Sequence, residues 1–288
     1  MFSKKFRRVR LILIHFFAQL SVLSCILAAE PASCPHCSKA PVDAKALEGM
    51  DIALVSENLT IEPGKAFRVG FKLDHKKGFH TYWKNPGVVG VPTKMNWELP
   101  EGVTVSEIQW PNPELSKMAV YPCFGYERDV LLMMEVSIPK SWSEETITLT
   151  GQGQWMCCSS MCYPGFETFS LTLKVGEEES CPKYAPLFEA AEKELPAESD
   201  KLTAKMLTKA DDKAIQLLIT SKDAELQVIR IFNEDGQTTP DIHHGIKRIT
   251  EDEFVFITER SKYGPKGPTA FPCVVETNFG FFKVNPSY

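Results

Sequence analysis

Three cysteines lie within six positions of this chain, at Cys157, Cys158 and Cys162. Tyr163-Pro164-Gly165 follows directly and predicts a turn, because proline fixes one backbone dihedral and glycine permits an unusual one. A close pair of thiolates can cycle between dithiol and disulfide and pass two electrons to a partner. The spacing is compatible with such a redox pair, with a structural disulfide beside one buried thiol, and with part of a metal site. Neighbouring residues of a strand point to opposite faces, so at most one of Cys157 and Cys158 faces Cys162.

A second constellation is Cys34-Pro35-His36-Cys37. Its spacing is that of a thioredoxin redox motif, but that motif follows a strand and opens a helix, and no strand fits before it here. It can act as a mobile dithiol tail, as a soft-metal ligand set with His36, or as an idle local disulfide. Thiolate and imidazole suit Cu(I) or zinc. We favour a redox or metal role, with Cu(I) as the candidate ion and otherwise no cofactor.

Residues 1–29 predict a secretory signal peptide. Five basic residues precede an apolar run from Leu11 to Leu27, and Ala28-Ala29 supplies small residues for cleavage. A retained membrane anchor or a lipoprotein form is the weaker alternative.

The charge that remains after cleavage argues against a nucleic-acid partner. Removing those five basic residues leaves 27 Lys and Arg against 37 Asp and Glu, a formal charge of about −10, whereas phosphate binding needs a basic face. Eight cysteines also remain. A chain of about 260 residues buries enough apolar surface to fold without disulfide cross-links. The clustered cysteines therefore favour redox or metal chemistry over a purely structural role.

Short alternating apolar runs, bounded by turn residues, predict an all-β fold of two β-sandwich domains. A linker with one short helix over residues 186–195 is expected to join them, because that stretch has apolar residues at helical spacing. The expected organisation is a signal peptide over 1–29, a flexible leader with the Cys-Pro-His-Cys motif over 30–48, a first domain over 49–176, a linker and helix over 177–197, and a second, smaller sandwich over 198–288.

Residues 78–165 resemble the N-terminal domain of DsbD-type thiol:disulfide interchange proteins, particularly the ScsB-like branch. The residues that carry the resemblance are Gly78-Phe79-His80-Thr81-Tyr82-Trp83-Lys84-Asn85-Pro86-Gly87, Gly90-Val91-Pro92-Thr93, Trp97-Glu98-Leu99-Pro100-Glu101-Gly102, Ile108-Gln109-Trp110-Pro111-Asn112-Pro113, Gly125-Tyr126-Glu127, Trp155-Met156-Cys157-Cys158 and Met161-Cys162-Tyr163-Pro164-Gly165. The resemblance implies an immunoglobulin-like domain in the periplasm, with Cys158 and Cys162 as the redox pair and Cys162 as the more exposed sulfur.

The family also implies a cap loop whose aromatic residue shields the active cysteines. That loop is expected within residues 114–125, with Tyr121 or Phe124 as the lid. Cys123 lies in the same loop and is either a third redox partner or, as we slightly favour, a small buried residue. Family members continue into a membrane electron conduit and a thioredoxin-like domain. A chain ending at Tyr288 is therefore expected to take electrons from a separate membrane-embedded thiol donor, or to have lost the electron-transfer role.

Three functions remain open. The first is an exported protein-disulfide reductase component that exchanges electrons through Cys158 and Cys162 with thioredoxin-like or disulfide-bearing proteins. The second is a copper-binding or copper-tolerance protein that uses the cysteine clusters. The third is a non-enzymatic immunoglobulin-like binding module with structural disulfides, in which Cys181 and Cys273 could bridge the linker to the second domain. His80 is expected to be a packed histidine rather than a catalytic base.

Overall fold

The computed structural model describes residues 40–198 and 200–288, which fall within one compact unit. The described residues form twenty β-strands and one α-helix, so the predicted all-β class is confirmed. The signal peptide and the Cys-Pro-His-Cys motif lie outside the described residues. No helix in the described part of the chain is long and apolar enough to span a membrane.

Two five-stranded sheets form the first sandwich. One has the order β1-β2-β4-β10-β7, with β1 Val42–Ala46, β2 Met50–Ser56, β4 Ala66–His75, β7 Thr104–Val105 and β10 Val130–Ser137. The other has the order β13-β3-β12-β11-β6, with β3 Asn58–Ile61, β6 Lys94–Glu98, β11 Thr146–Cys158, β12 Cys162–Val175 and β13 Glu179–Ser180. A small third sheet, in the order β5-β9-β8, contains β5 Thr81–Tyr82, β8 Glu114–Met118 and β9 Tyr121–Tyr126.

The second sandwich has a four-stranded and a three-stranded sheet. The first, in the order β14-β15-β18-β17, contains β14 Leu202–Met206, β15 Ala214–Ser221, β17 His244–Arg248 and β18 Glu253–Glu259. The second, in the order β16-β19-β20, contains β16 Val228–Asn233, β19 Cys273–Thr277 and β20 Gly280–Val284. The period-2 pattern is clear in β15, where Ile215, Leu217 and Ile219 are buried in alternation with partly exposed residues.

The one helix of the described residues, α1, spans Ala185–Glu192 and is shorter than the predicted 186–195. Proline near its first position suits a helix start, since the missing N–H has no intrahelical partner there. Phe188 and Ala191 face β10 in an apolar cluster. Arg68 of β4 links the helix to the first sandwich, because its guanidinium donates to Glu192 of the helix and to Glu57 of the sandwich.

Strand β1 departs from the expectation of a flexible leader over residues 30–48. It pairs antiparallel with β2 through all five of its residues. Its side chains alternate between exposed and half-buried, a weak amphipathic signal that carries few large apolar residues. Pairing with a buried neighbouring strand, which sequence does not reveal, therefore decides its structure. The domain boundaries themselves remain predictions.

The core of the first sandwich is centred on aromatic side chains from facing sheets. Phe71 and Phe169 meet edge to face with ring centroids 5.0 Å apart, and Trp155 lies 6.2 Å from Phe71. Phe169 is fully buried, whereas Phe166 on the same strand is 64% exposed. The two residues are three apart and so lie on opposite faces of β12.

We predict that Phe169→Ala lowers the free energy of unfolding by about 3–5 kcal/mol, because it leaves a cavity between the sheets. The matched variant Phe166→Ala on the exposed face should change it by less than about 0.5 kcal/mol. Urea unfolding followed by tryptophan fluorescence measures both. Equal losses in the two variants would contradict this account of the core.

Candidate functional site

The β11–β12 hairpin brings two of the three clustered cysteines together. Its register runs without interruption from Thr146 opposite Lys174 to Cys158 opposite Cys162. The last pair closes the hairpin with Cα atoms 4.1 Å apart, and the two sulfurs form a disulfide. Three residues cross the end, where the Ser159 N–H donates to the Met161 carbonyl. The turn therefore lies at residues 159–161, and the turn predicted at Tyr163-Pro164-Gly165 was wrong, because those residues pair with β11. The disulfide therefore lies at the tip of a long, fully paired hairpin.

The two sulfur-bearing residues differ in exposure. Cys158 is completely buried, whereas Cys162 is half-buried and is followed by half-buried Tyr163. Met161, in the connection between them, is 60% exposed. A reagent that approaches from solvent consequently reaches Cys162 before Cys158.

Cys157 faces away from this disulfide, as strand alternation requires. Its thiol is free and fully buried in the core of the first sandwich. It packs beneath the turn between β1 and β2, where a Cβ on Gly49 would lie 3.0 Å from the Cys157 sulfur and 2.3 Å from the Phe79 ring. Gly49 also has φ +83°, so glycine is needed there for both reasons. Burial raises the pKa of Cys157 to about 11, and Lys76 offsets only part of this.

On the other face, Cys158 joins an apolar cluster with Tyr82 and Cys123. We name this group the disulfide cluster, and Val89, Met118, Met156 and Cys162 pack against it. Backbone pairing explains the arrangement, because His80 and Cys158 exchange two hydrogen bonds of 2.9 Å and Tyr82 lies two residues beyond His80. Directly opposed residues share a sheet face, so these three side chains lie on one side.

Both ring groups beside Cys158 are held in their neutral forms. The His80 ring nitrogen Nε2 lies 3.3 Å from the Tyr82 hydroxyl, and both side chains are buried. Burial lowers the pKa of His80, although Glu127 partly opposes this. Burial also raises the pKa of Tyr82, with further contributions from Cys123 and Cys157. The packed histidine expected from sequence therefore lies directly beside the disulfide.

The predicted cap loop is an ordered β-hairpin of β8 and β9. Met118 pairs with Tyr121 and Ser116 pairs with Cys123, so these residues share a face with Cys123. On this face of the hairpin, Cys123 belongs to the disulfide cluster and Met118 packs against it. Tyr121 lies on the same face and is 53% exposed. Phe124 lies on the opposite face and is buried. Its ring centroid lies 4.8 Å from that of Phe232 in the second sandwich. Of the two predicted lid residues, only Tyr121 is on the side of the disulfide.

Cys123 is a free, fully buried thiol. Burial raises its pKa to about 11, with a partial offset from the Ser116 side chain. Cys181 and Cys273 are also free thiols, and they lie in two different apolar clusters rather than bridging linker and second domain. Burial raises the pKa of Cys273 as well.

The metal candidates cannot be placed in this geometry, since Cys34, His36 and Cys37 lie outside the described residues. Within residues 40–198 and 200–288, no group of three or more His, Cys, Asp or Glu side chains could hold a metal ion. Sequence reasoning did not single out Tyr82 or Val89 as neighbours of the disulfide. The aromatic residues around His80 were the one feature of the sequence that could have indicated these neighbours. The contact of Tyr82 with the disulfide depends on strand β5, which has only two residues and so leaves no pattern in the sequence.

Comparisons with known proteins agree with this geometry. Residues 52–174 match the family model described as the N-terminal domain of the thiol:disulfide interchange protein DsbD. The N-terminal periplasmic domain of ScsB from Proteus mirabilis, a crystal structure, is similar with a TM-score of 0.62 at 17% identity. That match covers 86% of this chain and 98% of the ScsB domain.

Two further comparisons add nothing to the argument. A conserved domain protein from Bacillus anthracis aligns over 82% of this chain and 76% of its own, but its 10% identity and TM-score of 0.28 are too low to indicate a shared fold. No curated protein sequence matches this chain. The resemblance found in residues 78–165 is nevertheless confirmed by the family match and the ScsB structure. Residues 52–174 are therefore similar to the N-terminal domain of DsbD, and the fold of the chain is similar to that of the ScsB N-terminal periplasmic domain.

Proposed function

We propose that this protein is an exported thiol:disulfide exchange protein that passes electrons between a redox donor and partner disulfides through Cys158 and Cys162. The carrying observation is the disulfide at the tip of the β11–β12 hairpin, with Cys162 half-buried and Cys158 completely buried. The family match supports thiol:disulfide exchange as the chemistry.

The exposure difference suggests a role for each sulfur. A donor thiolate attacks the Cys162 sulfur, the Cys158–Cys162 bond breaks, and the electron pair leaves with Cys158, which takes up a proton. A second donor thiol then displaces Cys162 and leaves the pair as a dithiol. Toward an acceptor the steps reverse, so that the Cys162 thiolate attacks the partner's disulfide and Cys158 resolves the mixed disulfide.

The expected partners follow from the compartment and the chemistry. The signal peptide predicted over residues 1–29 and the similarity to the periplasmic ScsB domain support a periplasmic location. The donor is then a membrane-embedded thiol protein, and the acceptors are exported thioredoxin-like or disulfide-bearing proteins. The acidic balance of the chain disfavours nucleic acid as a partner.

Burial keeps the other two cysteines near the site out of this exchange. The thiolate is the nucleophile, and at pH 8 a thiol of pKa about 11 is ionised to only about one part in a thousand. Cys157 is additionally separated from the disulfide by the strand itself, because it faces the opposite side.

We predict that Cys158→Ser traps partner proteins as mixed disulfides through Cys162. Without Cys158 the resolving thiol is missing, so the covalent adduct persists. Non-reducing electrophoresis and mass spectrometry of periplasmic extracts measure the adducts. The matched variant Cys162→Ser leaves only the buried thiol of Cys158 and should trap at least about tenfold less, because access to it is blocked. Adducts that form equally well through Cys158, or through neither residue, would contradict the proposal.

We also predict a sharp order of alkylation. After mild reduction of the folded protein at pH 8, iodoacetamide should label Cys162 first and leave Cys123 and Cys157 unlabelled. Labelling of these two should rise about tenfold per pH unit toward pH 11, because their thiolate fraction rises with pH while the pKa is about 11. Peptide mapping by mass spectrometry reads each site, and urea-unfolded protein, in which all thiols react, is the control. Rapid labelling of Cys157 in the folded protein would refute its sequestration.

A further inference from the structure

The chain between β5 and β6 connects the second sandwich to the disulfide. Residues 84–90, which we name the connecting segment, belong to the first sandwich by sequence. One side of the segment contacts the second sandwich and the other side contacts the disulfide cluster. It is the exchange chemistry proposed above that makes this double contact functionally relevant.

Asn85 provides the central contact with the second sandwich. Its side chain is 8% exposed, and its Nδ2 donates to the Asn233 carbonyl at 2.7 Å, with the Thr238 carbonyl at 3.5 Å. Its Oδ1 accepts from the Gly87 N–H at 3.3 Å, which shapes the segment itself. A buried amide whose hydrogen bonds all go to backbone groups fixes position closely, because losing them would leave unpaired polar groups.

Two neighbours of Asn85 reinforce this contact. The Lys84 ammonium lies 2.8 Å from the Glu234 carboxylate. Gly87 has φ +102°, and a Cβ there would lie 2.6 Å from Pro240. The connecting segment therefore contacts the second sandwich through a hydrogen bond, an ion pair and the close packing of Gly87 against Pro240.

The opposite side of the segment contacts the disulfide cluster. Val89 packs against the group formed by Tyr82, Cys123 and Cys158. Gly90 lies so close to the Tyr82 ring that a Cβ would be 2.2 Å from it. The Pro86 carbonyl also accepts from the Phe124 N–H at 3.0 Å, which joins the segment to β9 beside Cys123.

We propose that Asn85 is a positioning residue through which the second sandwich holds the connecting segment against Tyr82 and the buried Cys158, and so limits attack on the disulfide. Local opening of a segment is an equilibrium whose free energy includes each contact that must break. Removing the Asn85 side chain removes contacts made only in the closed arrangement. The open population, and with it the rate at which a small thiol reduces the disulfide, then rises.

The test is the second-order rate of reduction of Cys158–Cys162 by dithiothreitol, followed by quenched alkylation and mass spectrometry in the full chain. Asn85→Ala should accelerate reduction by about fivefold or more, the effect of losing one buried hydrogen bond. Glu234→Gln weakens the same contact from the second sandwich and should accelerate reduction by about threefold, because the lost ion pair is partly exposed. It also decides the question if Asn85→Ala does not fold.

Asn278→Ala is the matched control. Like that of Asn85, the Asn278 side chain bonds only backbone groups, the Gln227 N–H and the Glu225 carbonyl, but Asn278 lies in the β19–β20 turn of the second sandwich. The Asn278→Ala variant should reduce at the wild-type rate, even if its urea unfolding midpoint falls as far as that of Asn85→Ala. A folded Asn85→Ala protein with the wild-type rate, an unchanged rate in Glu234→Gln, or equal acceleration in Asn278→Ala would each overturn the proposal.

This measurement is separate from the test of function. Dithiothreitol needs no protein partner, so the rates report on access to the disulfide even if Cys158→Ser captures nothing. Conversely, partner capture with unchanged rates in the connecting-segment variants would support exchange and refute the positioning role.

Discussion

The cross-strand pairing of Cys158 with Cys162 is the constraint on which the site depends. A hairpin of thirteen and fourteen residues holds that pairing in register over its whole length. A shift of one residue would turn every side chain of a strand to the other face. Cys157 would then take the place of Cys158, and the core residues of β11 would face solvent. The packing of Trp155 and Leu149 in the core therefore determines which cysteine meets Cys162.

The same alternation gives chemically similar thiols different environments. Cys157 lies in the sandwich core, Cys158 lies in the disulfide cluster, and Cys162 is half-buried at the surface. Burial raises the pKa of Cys157 and of nearby Cys123, so neither thiol supplies a thiolate near neutral pH. Position in the sheet, more than the number of cysteines, therefore decides which thiols could take part in the proposed exchange. His80 and Tyr82 complete the surroundings as neutral groups beside the buried sulfur.

The two sandwiches share part of one core. Phe232 of the second sandwich meets both Trp83 and Phe124 of the first, with ring centroids 6.1 and 4.8 Å away. Trp83 follows Tyr82 directly, so one face of this short stretch contacts the second sandwich while the other contacts the disulfide. The second sandwich therefore contacts the residue next to Tyr82, which itself packs in the cluster with Cys158. That proximity is the physical basis for coupling between the second sandwich and the disulfide.

Sequence by itself determined the fold class, the strands with strong alternation and the cysteines worth examining. Alternation suffices for strands such as β15 because burial of one face is a local property of the sequence. Strand β1 and the two residues of β5 were not predicted, and the cap region was predicted as a loop instead of a hairpin, since pairing with other strands stabilises these elements more than their own composition does.

Only the tertiary structure decided which thiols are buried, that Phe124 belongs to the shared core, and that Asn85 contacts the second sandwich. Those properties depend on contacts between residues far apart in the chain, 148 positions apart for Asn85 and Asn233. Local sequence does not encode the partner of such a contact, because the partner is chosen by the packing of whole sheets.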